Sequence, residues 1–442
     1  MYLLYSIAYS IVFLLMLPAF LLRRQKYASG FKQRLGSYPS FDQDERKVIW
    51  LHCVSVGEAN AARPLVDKLL ADLPAHRLVI STVTKTGQDL AKTIFADKAD
   101  AVFYFPYDWR FSVRKALANY RPSLVLLMET EIWPRFIHEA KLAGSKVAIV
   151  NGRLSETSAH RYANLRAFIK RVLSDIDAAL MQGEADARRL MSLGMAPSRV
   201  TVTGNLKFDI TVSPDDHAIA SHLDERFHFD GERPVIAAAS THEPEERWIL
   251  EAYCSLMNDD KPLKPRLLIA PRHPERFESV VQLLREFRDD PSCEYPRYSF
   301  ARRSSEPENG DRTADVILLD SIGELRAAYS LCNIVFVGGS LIPHGGQSVL
   351  EPAAVGKAVI TGPYTHNFAD VVRVFLGNSA LIQLPVVQDV LKADELFLAL
   401  SDLLESPKTI AELGHNAKAV MNANRGATES TVKSLRVIIS KS

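Results

Sequence analysis

The stretch Asn333–Gly362, NIVFVGGSLIPHGGQSVLEPAAVGKAVITG, constrains the fold most. Ile334–Val337 is a short, β-branched apolar run that suits a buried strand. It leads into Gly338-Gly339-Ser340, where a backbone without Cβ atoms can approach a ligand closely. Gly345-Gly346 follow, then a helical pattern from Ser348, then a second apolar run at Ala358–Thr361. Strand, glycine-rich turn, helix and strand make a βαβ unit, the building block of a parallel α/β sheet. The helix N-terminus offers unpaired N–H groups and the positive end of the helix dipole, a cradle for phosphate. Glu351, in the first turn, can accept hydrogen bonds from ribose hydroxyls. Ser348-Val349-Leu350-Glu351 also fits a capping box. Two glycine pairs and His344 in one loop exceed what a cap needs, which favours a nucleotide site.

The same alternation runs along the chain. Strands are expected at Val48–Val54, Leu78–Ser81, Ala101–Tyr104, Leu124–Met128, Lys146–Val150, Ala178–Met181 and Val200–Thr203. A polar linker follows from Phe208 to Arg233, in which Ser213-Pro214 opens a short helix. A second series is expected at Val235–Ala239, Arg266–Ala270, Val316–Leu319, Ile334–Val337, Ala358–Thr361 and Ala380–Leu384. Glu286–Thr313, rich in Arg, Ser, Pro, Glu and Asp, reads as a mobile loop. The prediction is two Rossmann-like, doubly wound α/β domains, over residues 23–210 and 211–442, facing one cleft. Ligands of such sheets bind beyond the carboxyl ends of the strands.

Met1–Leu22 carries no charged side chain, and Arg23, Arg24 and Lys26 follow. About 20 apolar residues span a bilayer. The run therefore reads as a single-pass transmembrane anchor over residues 1–22, and the positive-inside rule puts the remaining chain in the cytoplasm. A cleaved signal peptide is disfavoured, because the basic residues come after the run and not before it. Lys26, Lys32 and Arg34 either meet anionic head groups or belong to a solvated linker. Formal net charge is +1, from 53 basic and 52 acidic side chains, so nucleic acid is not an expected partner. The four cysteines have no zinc spacing, and Cys53 and Cys332 read as buried thiols.

The strand ends carry the chemistry. Glu58, after Ser55-Val56-Gly57, stands at a strand-to-helix turn where a carboxylate can take a proton from a hydroxyl nucleophile. It also fits a capping box with Ser55. Lys85, in Ser81-Thr82-Val83-Thr84-Lys85-Thr86-Gly87, suits a phosphate or phosphosugar, or an N-cap cluster, but the spacing is not that of a P-loop. Glu129 and Glu131 follow a strongly apolar run, an arrangement that raises pKa values or holds a cation. Arg153 is an anion-clamp candidate, and the strand end Gly204-Asn205-Leu206-Lys207-Phe208-Asp209 is expected to put Lys207 near the interdomain cleft. In the second half Arg272, after Pro271, offers a fork of donors for phosphate. Ile322-Gly323-Glu324 is a turn whose amides can face a base or phosphate. No metal site is expected, since Asp42/Asp44 and Asp175/Asp177 read as solvated charges. No G-x-S-x-G elbow is present.

Over nearly its whole length the sequence resembles the bacterial lipid A Kdo (3-deoxy-D-manno-octulosonic acid) transferases. The resemblance is carried by Ser55–Glu58, Met128–Glu131 with Trp133-Pro134, Gly204–Asp209, Pro271–Phe277, and Gly338–Ser340 through Leu350–Pro352. It implies a GT-B fold and inverting, metal-independent transfer of Kdo from CMP-Kdo to the lipid A precursor lipid IVA, at the cytoplasmic face of the bacterial inner membrane. It requires no cofactor. By position Glu58 matches the general base, and Glu129 and Lys207 match groups that support the transition state. Pro271, Arg272, Ile322, Gly323, Glu324, Ser348, Val349, Leu350 and Glu351 match the CMP site. Lys85 and Arg153 are then acceptor-binding candidates in an N-terminal acceptor domain. The family usually has Asn-Pro where Ser348-Val349 stands. Two other readings fit the same residues: another GT-B enzyme using a UDP-sugar, and a non-catalytic membrane-bound nucleotide-sugar sensor.

Overall fold

A computed structural model describes residues 1–22, 29–210, 214–229, 231–258, 264–289 and 298–440. It forms two compact units, Met1–Asp209 with Asn424–Ser442, and Ile210–Ala423. The helices that carry or frame functional groups are α1 (Tyr2–Leu22), α2 (Val56–Ala61), α3 (Lys85–Ile94), α4 (Pro214–Phe227), α5 (Glu245–Asn258), α6 (Leu350–Ala354) and α7 (Ala427–Ser440).

The first unit holds β1 (Lys47–His52), β2 (His76–Thr82), β3 (Ala101–Tyr104), β4 (Pro122–Met128), β5 (Lys146–Gly152), β6 (Ala178–Met181) and β7 (Val200–Val202). All neighbours pair in parallel, in the order β3-β2-β1-β4-β5-β6-β7. Parallel strands covered on both faces need continuous apolar sequence. Successive residues accordingly feed two cores. Trp50, Val125, Leu127 and Ile149 enter one, and Leu51, Leu126, Ala148 and Val150 enter the other. The direction in which successive strands are added reverses between β1 and β4, the switch point at which such sheets bind ligands.

The second unit repeats the plan with β8 (Val235–Thr241), β9 (Arg266–Pro271), β10 (Phe300–Arg302), β11 (Val316–Leu318), β12 (Ile334–Val337), β13 (Ala358–Thr361) and β14 (Ile382–Gln383). Their order is β10-β11-β9-β8-β12-β13-β14, all parallel, with the switch point between β8 and β12.

Several expectations change. Strand β10 lies inside the stretch expected to be a mobile loop. There Asp311 is buried and accepts from Arg226 Nε at 2.8 Å, while Arg266 donates to the Ala314 carbonyl. The part of that stretch at 290–297 lies outside the described residues. The polar segment taken as a linker holds the 14-residue helix α4. The chain end, assigned by sequence to the second domain, belongs to the first unit: Ala427, Val432 and Leu435 of α7 complete the core under β1, β4 and β5. Asp209 caps this helix, accepting from the Gly426 and Thr428 amides at 2.7 and 2.6 Å.

The apolar N-terminal run is helix α1. No helix among the described residues is long and apolar enough to cross a membrane. Instead α1 lays a polar, aromatic face on the first unit. Tyr2 donates to Asp175 at 2.8 Å, Tyr5 to the fully buried Asp108 at 2.7 Å, and Trp109 Nε1 to Ser10 Oγ at 2.9 Å. Its other face leaves Leu3, Leu4, Ile7, Ile11, Leu14 and Leu15 exposed. Arg23, Arg24 and Lys26 lie outside the described residues. Arg34 is no head-group ligand: it is buried, donates to the Ser29 and Val83 carbonyls and stacks on Tyr104. Nor are Asp175 and Asp177 solvated. Asp175 also binds His138, and Asp177 binds Lys141 and the Val147 amide.

Candidate active site

The loops at the first switch point bring four charged groups together. Ser55 caps α2, its hydroxyl accepting from the Glu58 amide at 3.5 Å. Glu58 is 7% exposed and its Oε2 accepts from the Val54 amide at 2.8 Å. Half of the expected capping box is present: Ser55 accepts from the Glu58 amide, while the Glu58 carboxylate reaches the Val54 amide and not that of Ser55. Burial pushes its pKa up to about 8; the Val54 amide opposes the rise, and Glu129 and Glu131 add to it. A carboxyl poised near neutrality suits general-base work.

Glu129 follows β4 with φ at 53°, a left-handed conformation that costs a non-glycine residue about 1 kcal/mol or more. Its carboxylate lies 3.5 Å from Lys207 Nζ. Burial and the Glu129 charge raise the pKa of Glu131. Two asparagines place Lys207. Asn151, fully buried with φ at 53°, accepts from the Leu206 amide at 3.0 Å, and Asn205 accepts from the Lys207 amide at 3.0 Å. Local sequence does not mark either asparagine for this role, because the amides they receive are set by the fold and by the tight turn. Thr130 and Arg153 are tied together, the Arg153 amide donating to Thr130 Oγ1 at 3.0 Å. Lys85 sits exposed in the first turn of α3, capped by Thr84. A Cβ on Gly87 of that turn would stand 3.5 Å from the Val56 nitrogen, so the starts of α2 and α3 are neighbours.

At the second switch point the glycine-rich loop differs from expectation. The Gly339, Ser340 and Leu341 amides are not offered to a ligand. All three donate to the carboxylate of Glu245, at 2.7, 2.9 and 2.9 Å, and the His242 amide joins them at 3.0 Å. Glu245 is fully buried, and this ring of amides is what an ionised carboxylate there requires. Gly338 is needed for closeness: a Cβ would stand 2.7 Å from the Ser240 carbonyl oxygen and 2.8 Å from the Thr241 Cα. Helix α6 is only five residues long, and its N-cap is Val349, without a side-chain bond. The expected capping box does not form, because Ser348 Oγ reaches the Leu350 amide, at 3.4 Å. Left-handed Gly356 ends the segment after Val355.

The donor-site candidates cluster in this unit. Arg272, exposed, is held by its amide on the Thr241 carbonyl at 3.0 Å. Arg272 and Glu351 both act electrostatically on the buried Tyr329 hydroxyl. Ile322 is 81% exposed beside left-handed Gly323. Glu324 is gripped by Arg303 through two bonds of 2.9 Å. Burial works against ionisation of Glu324, but Arg303 and Ser321 win and hold its pKa below the usual value. Arg303 was missed because its sequence neighbourhood reads as loop. Among the described residues no group of three or more His, Cys, Asp or Glu could hold a metal ion.

Residues 29–210 match a sequence profile described as 3-deoxy-D-manno-octulosonic-acid transferase (kdotransferase). The chain is 34% identical over 404 residues to the 3-deoxy-D-manno-octulosonic acid transferase of Haemophilus influenzae, covering 91% of this chain and 90% of that protein. The chain belongs to the Kdo transferase family. The Bordetella pertussis transferase of the same name is 32% identical, over 88% of this chain and 86% of its own. A solved UDP-GlcNAc 2-epimerase from Neisseria meningitidis shares the fold, with a TM-score of 0.54 at 15% identity over 88% of this chain and all of that one. The expected GT-B architecture of paired parallel-sheet domains is thus present in this Kdo transferase.

Proposed function

We propose that the enzyme transfers Kdo from CMP-Kdo to the lipid A precursor lipid IVA, with inversion and without a metal. The observation that supports this most is 34% identity, spread over nine-tenths of both chains, to a named Kdo transferase. Glu58 takes the proton of the acceptor hydroxyl as its oxygen bonds to the anomeric carbon of Kdo. The bond from that carbon to the CMP phosphate breaks, and the electron pair leaves with CMP. Glu129 and Lys207 form the charged pair that stabilises the transition state. Arg272, the Ile322–Gly323–Glu324 turn and the Ser348–Glu351 segment hold CMP. Lys85 and Arg153 bind acceptor phosphate. The test is CMP release in detergent micelles from CMP-Kdo and a tetraacyl disaccharide bisphosphate, run beside UDP-sugars. Acceptor-dependent release from CMP-Kdo alone supports the assignment; release of UDP, or no release from folded enzyme, sinks it.

We also place the enzyme on the inner membrane with both units on the cytoplasmic side. The exposed row Leu3, Leu4, Ile7, Ile11, Leu14 and Leu15 supports this, as do the basic Arg23, Arg24 and Lys26 that follow it in sequence. Changing Leu3, Leu4 and Ile7 to serine spares the docked face of α1. It should release the protein from vesicles containing anionic phospholipid, and undiminished binding would refute the placement.

A further inference from the structure

Three histidines meet at the second switch point. His242 follows β8, His273 follows β9 and His344 lies in the loop after β12. The His242 ring centroid is 4.3 Å from that of His344 and 5.4 Å from that of His273. His273 and His344 are exposed, and His242, 9% exposed, lies beneath them. Its Nδ1 is 3.1 Å from the Ser240 carbonyl, so Nδ1 carries the proton and donates it there. Nε2 is then a bare lone pair, and it is buried with no hydrogen-bond partner among the described residues. A buried polar atom without a partner calls for an explanation, and a catalytic role is one. Gly339, with φ at 65°, passes beside the ring, and a Cβ there would stand 3.4 Å from His242 Cε1.

The charged and titratable groups that face His242 come from three elements. His344 comes from the loop after β12. His273 and Arg272 come from the loop after β9. Glu245 comes from the start of α5, but its carboxylate is spent on four backbone amides. Glu243 is paired with Arg276. Glu275 reaches His273, at 3.9 Å, and the groups that act on the His242 imidazole are His344, His273 and Arg272, all basic. Burial, then His344, His273 and Arg272, press the pKa of His242 down to about 4, with the Ser240 carbonyl opposing.

We propose that His242, with His273 and His344, is the receptor for an oxyanion of the sugar donor, and that His242 takes up a proton as the donor binds. This rests on the CMP-Kdo assignment above. A negative oxygen entering the cluster offsets the burial and the repulsion that keep His242 neutral, and the protonated ring then donates from both nitrogens. The anomeric carbon of CMP-Kdo carries two oxyanions, a phosphodiester and a carboxylate. Arg272, beside His273, offers the fork that suits the phosphate. That leaves the carboxylate, which marks a 2-keto sugar acid, to the imidazoles. No other anion site of this kind is needed by a donor that lacks a carboxylate, so the trio is a specificity device.

Calorimetry in two buffers of different ionisation enthalpy counts the protons taken up, with CMP and with CMP-Kdo in the absence of acceptor. Wild-type turnover with acceptor is measured first, and its failure would count against the donor assignment alone. Given turnover, His242→Gln should take up about one proton fewer than wild type on binding CMP-Kdo at neutral pH. Its KM for CMP-Kdo should rise about tenfold or more, as expected for a lost charge-assisted bond, while CMP binds within about twofold of wild type. Wild-type affinity should also strengthen as pH falls from 8 toward 6, with a shallower slope in the variant. Equal losses for CMP and CMP-Kdo would put the phosphate, and not the carboxylate, on the receptor. Weaker binding with an unchanged proton count would overturn the proposal, as would wild-type behaviour of the variant. If His242→Gln does not fold, the exposed His344→Gln replaces it, with a smaller rise in KM for CMP-Kdo expected and no change overturning the proposal.

Discussion

Replacing Glu245 by glutamine isolates what holds the glycine-rich loop. The substitution keeps shape and size and removes the charge. Oε1 now accepts from the Ser340 and Leu341 amides, and Oε2 from the Gly339 and His242 amides. Whichever oxygen becomes the amide nitrogen, two buried N–H groups lose their acceptor and face another donor. Each unsatisfied buried donor costs about 1–3 kcal/mol, so the gross loss is roughly 2–6 kcal/mol. Burial disfavours the charge, as the raised pKa of Glu245 records, so removing the charge returns part of that loss. A net destabilisation of about 2–3 kcal/mol follows, equal to roughly 4–12 °C in the melting temperature of a unit this size. Thermal unfolding by calorimetry gives that shift, and hydrogen exchange of peptides over Gly338–Leu341 shows whether the loop loosens first. An unchanged melting temperature with unchanged exchange at those amides would refute the role of Glu245 as the loop's anchor.

Glu129 raises the pKa of Glu58, so Glu129→Gln should move the acid limb of the kcat/KM profile below the wild-type midpoint of about 8 while lowering the plateau rate. A midpoint that stays or rises, read from initial rates between pH 6 and 9, would contradict the electrostatic link. Asn151→Ala removes the acceptor for the Leu206 amide and puts a β-carbon residue without a local hydrogen bond at φ 53°. We expect kcat to fall about tenfold or more through misplaced Lys207, with CMP affinity in the second unit unchanged; an unchanged kcat would detach Asn151 from the site.

The sheets were legible because parallel strands are written as continuous β-branched and leucine-rich runs. Ala101–Tyr104, Ala178–Met181, Ile334–Val337 and Ala358–Thr361 form strands over those same residues. What stayed hidden depends on distant partners. Strand β10 is three residues long in polar surroundings, and nothing local marks it. Helix α7 has an ordinary apolar face, and no pattern says which core it completes. Glu245 reads as a common first-turn acid; three of its four partners lie more than ninety residues along the chain. The pair Glu129 and Lys207 was legible as chemistry, but the asparagines that position it look like turn residues. The run at the N-terminus was legible as apolar. That it docks one face through Tyr2, Tyr5 and Ser10 is written only in the positions of hydroxyls within it.

The most direct test of the account is Glu58→Gln assayed for acceptor-dependent CMP release beside wild type, with CMP binding measured on the same preparations. The account predicts a loss of about 10²–10⁴-fold in kcat with CMP affinity intact. It also predicts a wild-type rate that rises with pH toward a plateau above about 8, because the deprotonated carboxylate is the active form. Wild-type rates from a folded Glu58→Gln enzyme would return Glu58 to the capping of α2 and leave the reaction without its base.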